Sequence, residues 1–95
     1  MFVRLTQARF DPAKQAEVER YFRDVVIPRA LAQPGSLGFR CLRKLDEPGV
    51  VVAVAEWVDR ASSDRYFASP EHDEMMAGFP APQQLTWRDA YELVE

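Results

Sequence analysis

Apolar and polar residues alternate along four segments of the chain, the pattern of strands whose side chains point to opposite faces in turn. The predicted strands are residues 2–10, 37–45, 50–57 and 85–94. The second and third strands are expected to form an antiparallel hairpin, because Pro48 and Gly49 make a close turn between them. In the last strand the apolar face is predicted to consist of Leu85, Trp87, Tyr91 and Leu93.

Helical spacing of apolar residues marks the segments that connect these strands. After Asp11, a suitable N-cap, Pro12 suits the first helical position. One buried face is predicted to consist of Val18, Tyr21, Phe22 and Val25. Pro28 is expected to stop or kink this helix, because its ring clashes with the preceding turn. After the third strand, Asp59 and Ser69 are predicted to cap two short helices. The second of these carries one inward stripe, made of His72, Met75, Met76 and Phe79.

The order strand, helix, strand, strand, helix, strand predicts an α+β fold of the ferredoxin-like βαββαβ type. In this fold a four-stranded antiparallel sheet carries helices on one face. A length of 95 residues suits one domain, and we expect residues 1–95 to form it.

The third strand is apolar on both faces, which predicts that both faces of the sheet are covered. Val50, Val52 and Val54 point one way, whereas Ala53, Ala55 and Trp57 are among those that point the other way. The helices suffice for one face only. A second copy of the same sheet is the simplest cover for the other, so we expect a homodimer packed sheet to sheet rather than a monomer with an exposed apolar face.

Composition excludes several classes of function. Lys and Arg number 12 against 15 Asp and Glu, and no basic run occurs, so nucleic-acid binding is not expected. The chain has no long apolar run and no leader-like segment, so neither a membrane span nor a signal peptide is expected. The lone Cys41 fits a reducing cytoplasm, and Cys41 and His72 are too few for a zinc site.

Two short motifs resemble those of antibiotic-biosynthesis-monooxygenase domains. The segment 34–39, PGSLGF, resembles that family's entry to strand two. Glu56-Trp57 followed by Ser69-Pro70-Glu71-His72 resembles its Trp at the end of strand three and its small-Pro-x-His helix start. The resemblance covers nearly the whole chain and implies a dimeric α+β barrel. It also implies a range of activities: oxidation of phenolic or quinol-type aromatics by O2 without metal or flavin, haem degradation, or no known reaction.

This chain differs from the signatures of both better-defined activities. Haem-degrading relatives have Asn, Trp and His at positions that here match Gln7, Tyr66 and Met76. Relatives that oxidise polyketide aromatics have Asn and Tyr at positions that match Ala53 and Ser63. Trp57 is the residue retained from the second set. The candidate site consists of Trp57, Gln7, Tyr66, Ala53 and Met76, together with His72.

Each candidate residue has a functional and a structural interpretation. His72 is either a general base or a histidine that holds its helix on the sheet, and Trp57 either stacks on an aromatic substrate or fills the core. Gln7 and Tyr66 could converge in a pocket and orient a hydroxyl or carbonyl group, although the Tyr66 hydroxyl could instead lie in water. Substrate binding is therefore assigned to Gln7, Tyr66, Ala53 and Met76, and catalysis to His72 and Trp57.

Two functions follow as hypotheses. The first is a cofactor-independent monooxygenase that oxidises a small aromatic phenol or quinol with O2, without a bound metal. The second is a non-catalytic homodimeric module that binds a hydrophobic small molecule. Haem binding is a minor variant, for which His72 is the one histidine ligand that the sequence offers.

Overall fold

The computed structural model describes residues Met1 to Glu95 and has one antiparallel sheet of four strands. The strands are β1 (Phe2–Phe10), β2 (Ser36–Arg43), β3 (Val50–Trp57) and β4 (Gln83–Glu92), in the spatial order β2-β3-β1-β4. With helices between β1 and β2 and between β3 and β4, this is the ferredoxin-like α+β fold that the sequence predicts. No helix is both long and apolar enough to cross a membrane.

Helical segments cover one face of the sheet. Between β1 and β2 lie a 3₁₀ turn (Pro12–Lys14), α1 (Gln15–Tyr21), a π-helical turn (Phe22–Val26) and α2 (Ile27–Leu31). Between β3 and β4 lie α3 (Arg60–Phe67) and α4 (Pro70–Ala77). The predicted caps are confirmed: the side chains of Asp11, Asp59 and Ser69 accept hydrogen bonds from backbone N–H groups of the turns they precede.

The π-helical turn changes which residues of the first helix are buried. The Ile27 N–H donates to Phe22 O, five residues back, so the turn holds one residue more than an α-helical turn. Val26 and Ala30 are therefore buried, whereas Val25, which the α-helical spacing predicted, is only half-buried. Of the two outcomes predicted for Pro28, a stop does not occur, because helical structure continues to Leu31.

The sheet has two chemically different faces. The helix face includes Phe2, Arg4, Thr6 and Ala8 of β1, and Val51, Ala53, Ala55 and Trp57 of β3. The open face, which no helix covers, includes Val3, Leu5 and Gln7 of β1 and Val52 and Val54 of β3. Leu5 pairs with Val54, and Gln7 pairs with Val52. The open face combines these apolar side chains with three charged residues, Arg40, Glu56 and Asp89, which pair with Val54, Val3 and Leu5. It is accessible, and Leu42, Trp87 and Tyr91 are its most exposed large side chains.

Irregularities of register occur in both edge strands, and the one in β4 alters its predicted face. Gln7 pairs with Trp87 but the next residue, Ala8, pairs with Leu85, so Thr86 is an extra residue in β4. Leu85 therefore points to the helix face and Trp87 to the open face, and the prediction that they share a face is wrong. In β2, Leu37 is the extra residue and is 55% exposed.

Gly35 joins the start of β2 to the start of α3. Its φ of 85° lies in the left-handed region, and a Cβ there would overlap the side chain of Ser62. The Gly35 carbonyl also accepts from Val58 N–H at 2.8 Å. This close approach places α3 directly beyond the end of β3, where Trp57 ends the strand.

Candidate functional site

A cavity of about 70 Å³ lies between the helix face of the sheet and the helices. Its walls are mainly apolar and include Phe22 and Val26 of the π-helical turn, Met75 and Met76 of α4, and Leu85 of β4. Leu85 is 44% exposed and β4 is an edge strand, so the cavity opens beside β4. Most residues that the sequence assigned to a site meet here.

Two residues that line this cavity carry buried hydrogen-bond donors without a partner. Trp57 is 2% exposed and Tyr66 is 5% exposed, yet neither Trp57 Nε1 nor the Tyr66 hydroxyl is hydrogen-bonded. Their ring centroids lie 5.9 Å apart. Burial of such a group without a partner costs roughly 1–3 kcal/mol. This free-energy penalty is explained if a bound ligand supplies the missing hydrogen-bond acceptor.

Burial favours the protonated form of the Tyr66 hydroxyl, which keeps it a donor. Desolvation raises the pKa of Tyr66, an effect that Arg29 partly offsets and Glu71 reinforces. Tyr66 is thus an un-ionised hydrogen-bond donor at neutral pH, and the possibility that its hydroxyl lies in water is excluded by its burial.

His72 lies beside this pair at the start of α4. Its ring packs edge-on against Tyr66, with centroids 5.4 Å apart, and against Phe67 at 4.7 Å. The hydrogen bond it makes is through its backbone N–H to Ser69 Oγ, which leaves the imidazole for other partners. Burial, reinforced by the charge of Arg88 and opposed by Asp73, lowers the pKa of His72 below 6.5. At neutral pH the imidazole is therefore uncharged and able to accept a proton.

Two arginines border the cavity and share one aromatic ring. The guanidinium carbons of Arg4 and Arg88 lie 4.9 and 4.2 Å from the centroid of Phe67. Arg4 also donates to Ser63 Oγ at 3.1 Å and pairs with Asp64 at 2.9 Å, whereas Arg88 takes part in none of the ion pairs of the chain. The guanidinium of Arg4 is thus fixed by its contacts with α3, whereas the charge of Arg88 has no acidic partner.

The other residues assigned to substrate binding divide between the two faces. Ala53 and Met76 line the cavity. Gln7 does not, because it lies on the open face, where its side-chain amide donates to Thr86 Oγ1 at 2.9 Å. The expected convergence of Gln7 with Tyr66 is therefore not met: the two residues are separated by the sheet.

Sequence reasoning missed the polar rim of the cavity. Arg4, Arg88, Phe67 and Gln83 all border it. Arg4 could have been predicted from the sequence, because it is a charged residue on the face of β1 that also carries Phe2, Thr6 and Ala8. Arg88 had none, because the extra residue Thr86 determines which way it points.

The cavity is smaller than the sites that bind drug-sized ligands, which measure roughly 300–1,000 Å³. At about 70 Å³ it has room for a few water molecules, and an aromatic ligand needs its walls to move. The flexible side chains of Met75 and Met76 and the exposed Leu85 are the parts of the wall best able to do so. No group of three His, Cys, Asp or Glu side chains is arranged to hold a metal ion.

Solved structures share this fold at low sequence identity. HapK from Hahella chejuensis has a TM-score of 0.84 and 19% identity over 99% of this chain and 93% of its own. An antibiotic biosynthesis monooxygenase has a TM-score of 0.81 and 21% identity over all of both chains. SnoaB from Streptomyces nogalater, a cofactor-independent oxygenase, has a TM-score of 0.73 and 16% identity over 99% of this chain and 93% of its own.

Sequence comparison agrees with the fold. No curated protein sequence matches this chain significantly. The model of one protein family, antibiotic biosynthesis monooxygenase, matches residues 1–78, which include β1 to β3 and all the helices. The chain belongs to the antibiotic biosynthesis monooxygenase family.

Proposed function

We propose that this protein is a cofactor-independent monooxygenase that oxidises a small phenol or quinol-type aromatic with O2. Family membership supports the class of reaction, and SnoaB, of the same fold, is a cofactor-independent oxygenase. The single observation that carries the proposal to this chain is the pair of buried, unpartnered donors, Trp57 Nε1 and the Tyr66 hydroxyl, beside an uncharged imidazole. Such a site binds an aromatic oxygen and removes its proton.

His72 is the proposed proton acceptor. It takes the hydroxyl proton of the substrate, and the Trp57 and Tyr66 donors stabilise the resulting aryloxide by hydrogen bonding. The apolar walls exclude water, so these hydrogen bonds are stronger than they would be in solution. Ala53 and Met76 contribute surface against the ring.

The aryloxide then supplies the electrons that O2 requires. One electron passes from the aryloxide to O2, and the resulting superoxide joins the ring radical to form a peroxide at a ring carbon. The distal oxygen takes the proton from His72, the same ring carbon loses its C–H proton, and the O–O bond breaks. The ring carbon becomes a carbonyl, and the distal oxygen leaves with both protons as water. An anthrone plus O2 thus gives an anthraquinone plus water, and a hydroquinone plus O2 gives a hydroxyquinone plus water. The substrate is oxidised by four electrons, and no external reductant is needed.

The test is oxygen uptake with a panel of hydroquinones and anthrones. The His72→Gln variant should lower the rate by about 10²–10⁴, the usual contribution of a positioned acid or base. Glu74→Gln, an exposed change on the same helix, serves as the matched control and should leave the rate unchanged. Uptake no faster than buffer for the wild-type protein across the panel would refute the proposal. Ligand binding without oxygen uptake would favour the non-catalytic binding module. A shift of the Soret band on addition of haemin would favour the haem-binding variant of that module.

We further propose that residues 1–95 form one domain that dimerises through the open face. The apolar side chains of that face, with Leu42 51% and Trp87 37% exposed, support a partner there. A second copy packed sheet to sheet would cover them, as the resemblance to dimeric α+β barrels implies. Sedimentation analysis should give the mass of a dimer, and Val54→Lys, which places a charge in the middle of the open face, should give a monomer. A wild-type monomer at micromolar concentration would contradict the dimer.

A further inference from the structure

The charged side chains around the cavity are both cations. Its lining includes Arg4 and Arg88 and no Asp or Glu. Trp57 and Tyr66 add two unpaired donors, whereas Thr6, Gln83 and the uncharged His72 can also accept hydrogen bonds. The lining therefore differs from the chain as a whole, in which acidic residues outnumber basic ones by 15 to 12 and the net charge is −3. A cavity with this lining is complementary to a ligand whose polar groups are acceptors or anions.

The donors form two separate groups. Trp57 Nε1 and the Tyr66 hydroxyl are fully buried and lie in the wall. Arg88 is exposed, on the edge strand β4, and marks the opening. A ligand that satisfies both groups therefore carries oxygen at its buried end and again at the end that faces solvent.

Arg88 is the arginine available to a ligand. Arg4 is held by Ser63 and Asp64 on α3, which satisfy part of its guanidinium and balance its charge. Arg88 has no acidic partner. Its guanidinium stacks on the ring of Phe67, with its central carbon 4.2 Å from the ring centroid. Stacking uses the face of the guanidinium and leaves the N–H groups at its edge available to a ligand. The planar fork of an arginine matches the two oxygens of a carboxylate.

We infer that the ligand is an aromatic hydroxy acid, whose hydroxyl oxygen meets Trp57 and Tyr66 inside the cavity and whose carboxylate meets Arg88 at the opening. This inference rests on the proposed function for the location of the site and narrows its substrate class. A quinol that carries a carboxylate is held at both ends, so its reacting ring is oriented in the cavity. A neutral quinol is held at the buried end alone.

The test is equilibrium binding without oxygen, so that no turnover is required. Isothermal titration calorimetry under argon compares 2,5-dihydroxybenzoate with methyl 2,5-dihydroxybenzoate, which has the same hydroxyls and no charge. Wild-type protein should bind the carboxylate about 10-fold or more tightly than the ester, as expected for a charge-assisted hydrogen bond. Arg88→Gln should abolish this preference by weakening the carboxylate alone.

The matched control is Arg20→Gln. Arg20 is an exposed residue of α1 outside the cavity lining, so the variant changes the net charge equally and should keep the preference. Equal binding of acid and ester by wild-type protein, no binding of the acid, or a preference that survives Arg88→Gln would overturn the inference. Oxygen uptake decides the proposed function separately: a carboxylate preference without uptake sustains the hydroxy-acid ligand and rejects the oxygenase.

Discussion

The side chains buried between sheet and helices form two clusters of different chemistry. The first includes Phe10, Val18, Phe22, Val51 and Met75, all of them apolar. The second, around Trp57 and Tyr66, also contains Phe2, Ala30 and Ala55. The first cluster leaves no polar atom without a partner, whereas the second leaves two. We call them the apolar cluster and the aromatic cluster.

Both clusters contribute to the cavity wall, and they differ in whether they offer a ligand unpaired hydrogen-bond donors. Stability alone favours Phe over Tyr at position 66, because an unpaired buried hydroxyl costs free energy without improving the packing. The apolar cluster contains no unpaired buried polar group, whereas the aromatic cluster contains two, next to the uncharged His72. Strain or unmet hydrogen bonding is typical of functional sites, where a ligand offsets it.

Substitution in the apolar cluster should have the largest effect, and on stability. Phe10 is 6% exposed and does not line the cavity, so Phe10→Ala should lower the free energy of unfolding by about 3–5 kcal/mol. Urea denaturation measures this change. Leu45→Ala, at a side chain 88% exposed, is the control and should stay within about 0.5 kcal/mol of wild type. A loss below about 1 kcal/mol for Phe10→Ala would remove the contrast between the clusters.

Substitution in the aromatic cluster should act mainly on the reaction. Trp57→Phe removes the Nε1 donor and should lower the oxygen-uptake rate by about 10²–10³, as loss of one donor to a developing oxyanion does in other enzymes. Trp87→Phe makes the same chemical change on the open face and should leave the rate unchanged. Equal rates for the two variants would mean that the Trp57 donor has no role in the reaction. Circular dichroism checks that both variants fold.

The acid limit of activity should report the environment of His72. Burial and the positive charge of Arg88 lower the pKa of His72, and Asp73 opposes this effect. The oxygen-uptake rate should therefore stay constant as the pH falls to 6.5 and decrease only at lower pH. Arg88→Gln removes one lowering cause, so its acid limit should move to higher pH. A pH–rate profile of wild type and variant measures the shift, and a profile that moves to lower pH would contradict this placement of the two side chains.

The same pKa shift couples protonation of His72 to stability. The unfolded chain binds the proton more readily than the folded one, so the free energy of unfolding should decrease as the pH falls from 6.5 through the lower folded pKa. Glu19 contributes at lower pH, because hydrogen bonds from Arg43 and Gln15 lower its pKa from 4.5 to about 2. The contribution of Glu19 to the free energy of unfolding is lost only as the pH falls from 4.5 to about 2.

The sequence predicted those parts of the fold that local chemistry determines. The bounds of β1 and β3 and the caps at Asp59 and Ser69 were read correctly, because alternation and capping depend on near neighbours. The π-helical turn and the extra residue Thr86 were not predicted, since each depends on how an element packs against the rest of the chain.

Those two irregularities also account for what was missed at the site. The π-helical turn brings Val26 into the cavity wall, and Thr86 turns Leu85 and Arg88 to the helix face. For Gln7 the sequence predicts the face correctly, but a polar side chain on that face does not by itself indicate a site. In the structure its amide bonds to Thr86 on the open face.

The central claim is that the Tyr66 hydroxyl is kept for a ligand, and Tyr66→Phe tests it most directly. Urea unfolding and oxygen uptake are measured on the same preparation. The account predicts a free energy of unfolding equal to that of wild type or higher by about 1 kcal/mol, since the variant removes one unpaired buried hydroxyl. It also predicts an uptake rate at least about 10-fold lower, because a donor to the substrate oxygen is lost. A free energy lower by more than about 1 kcal/mol with unchanged uptake would contradict it, since the hydroxyl would then serve the fold.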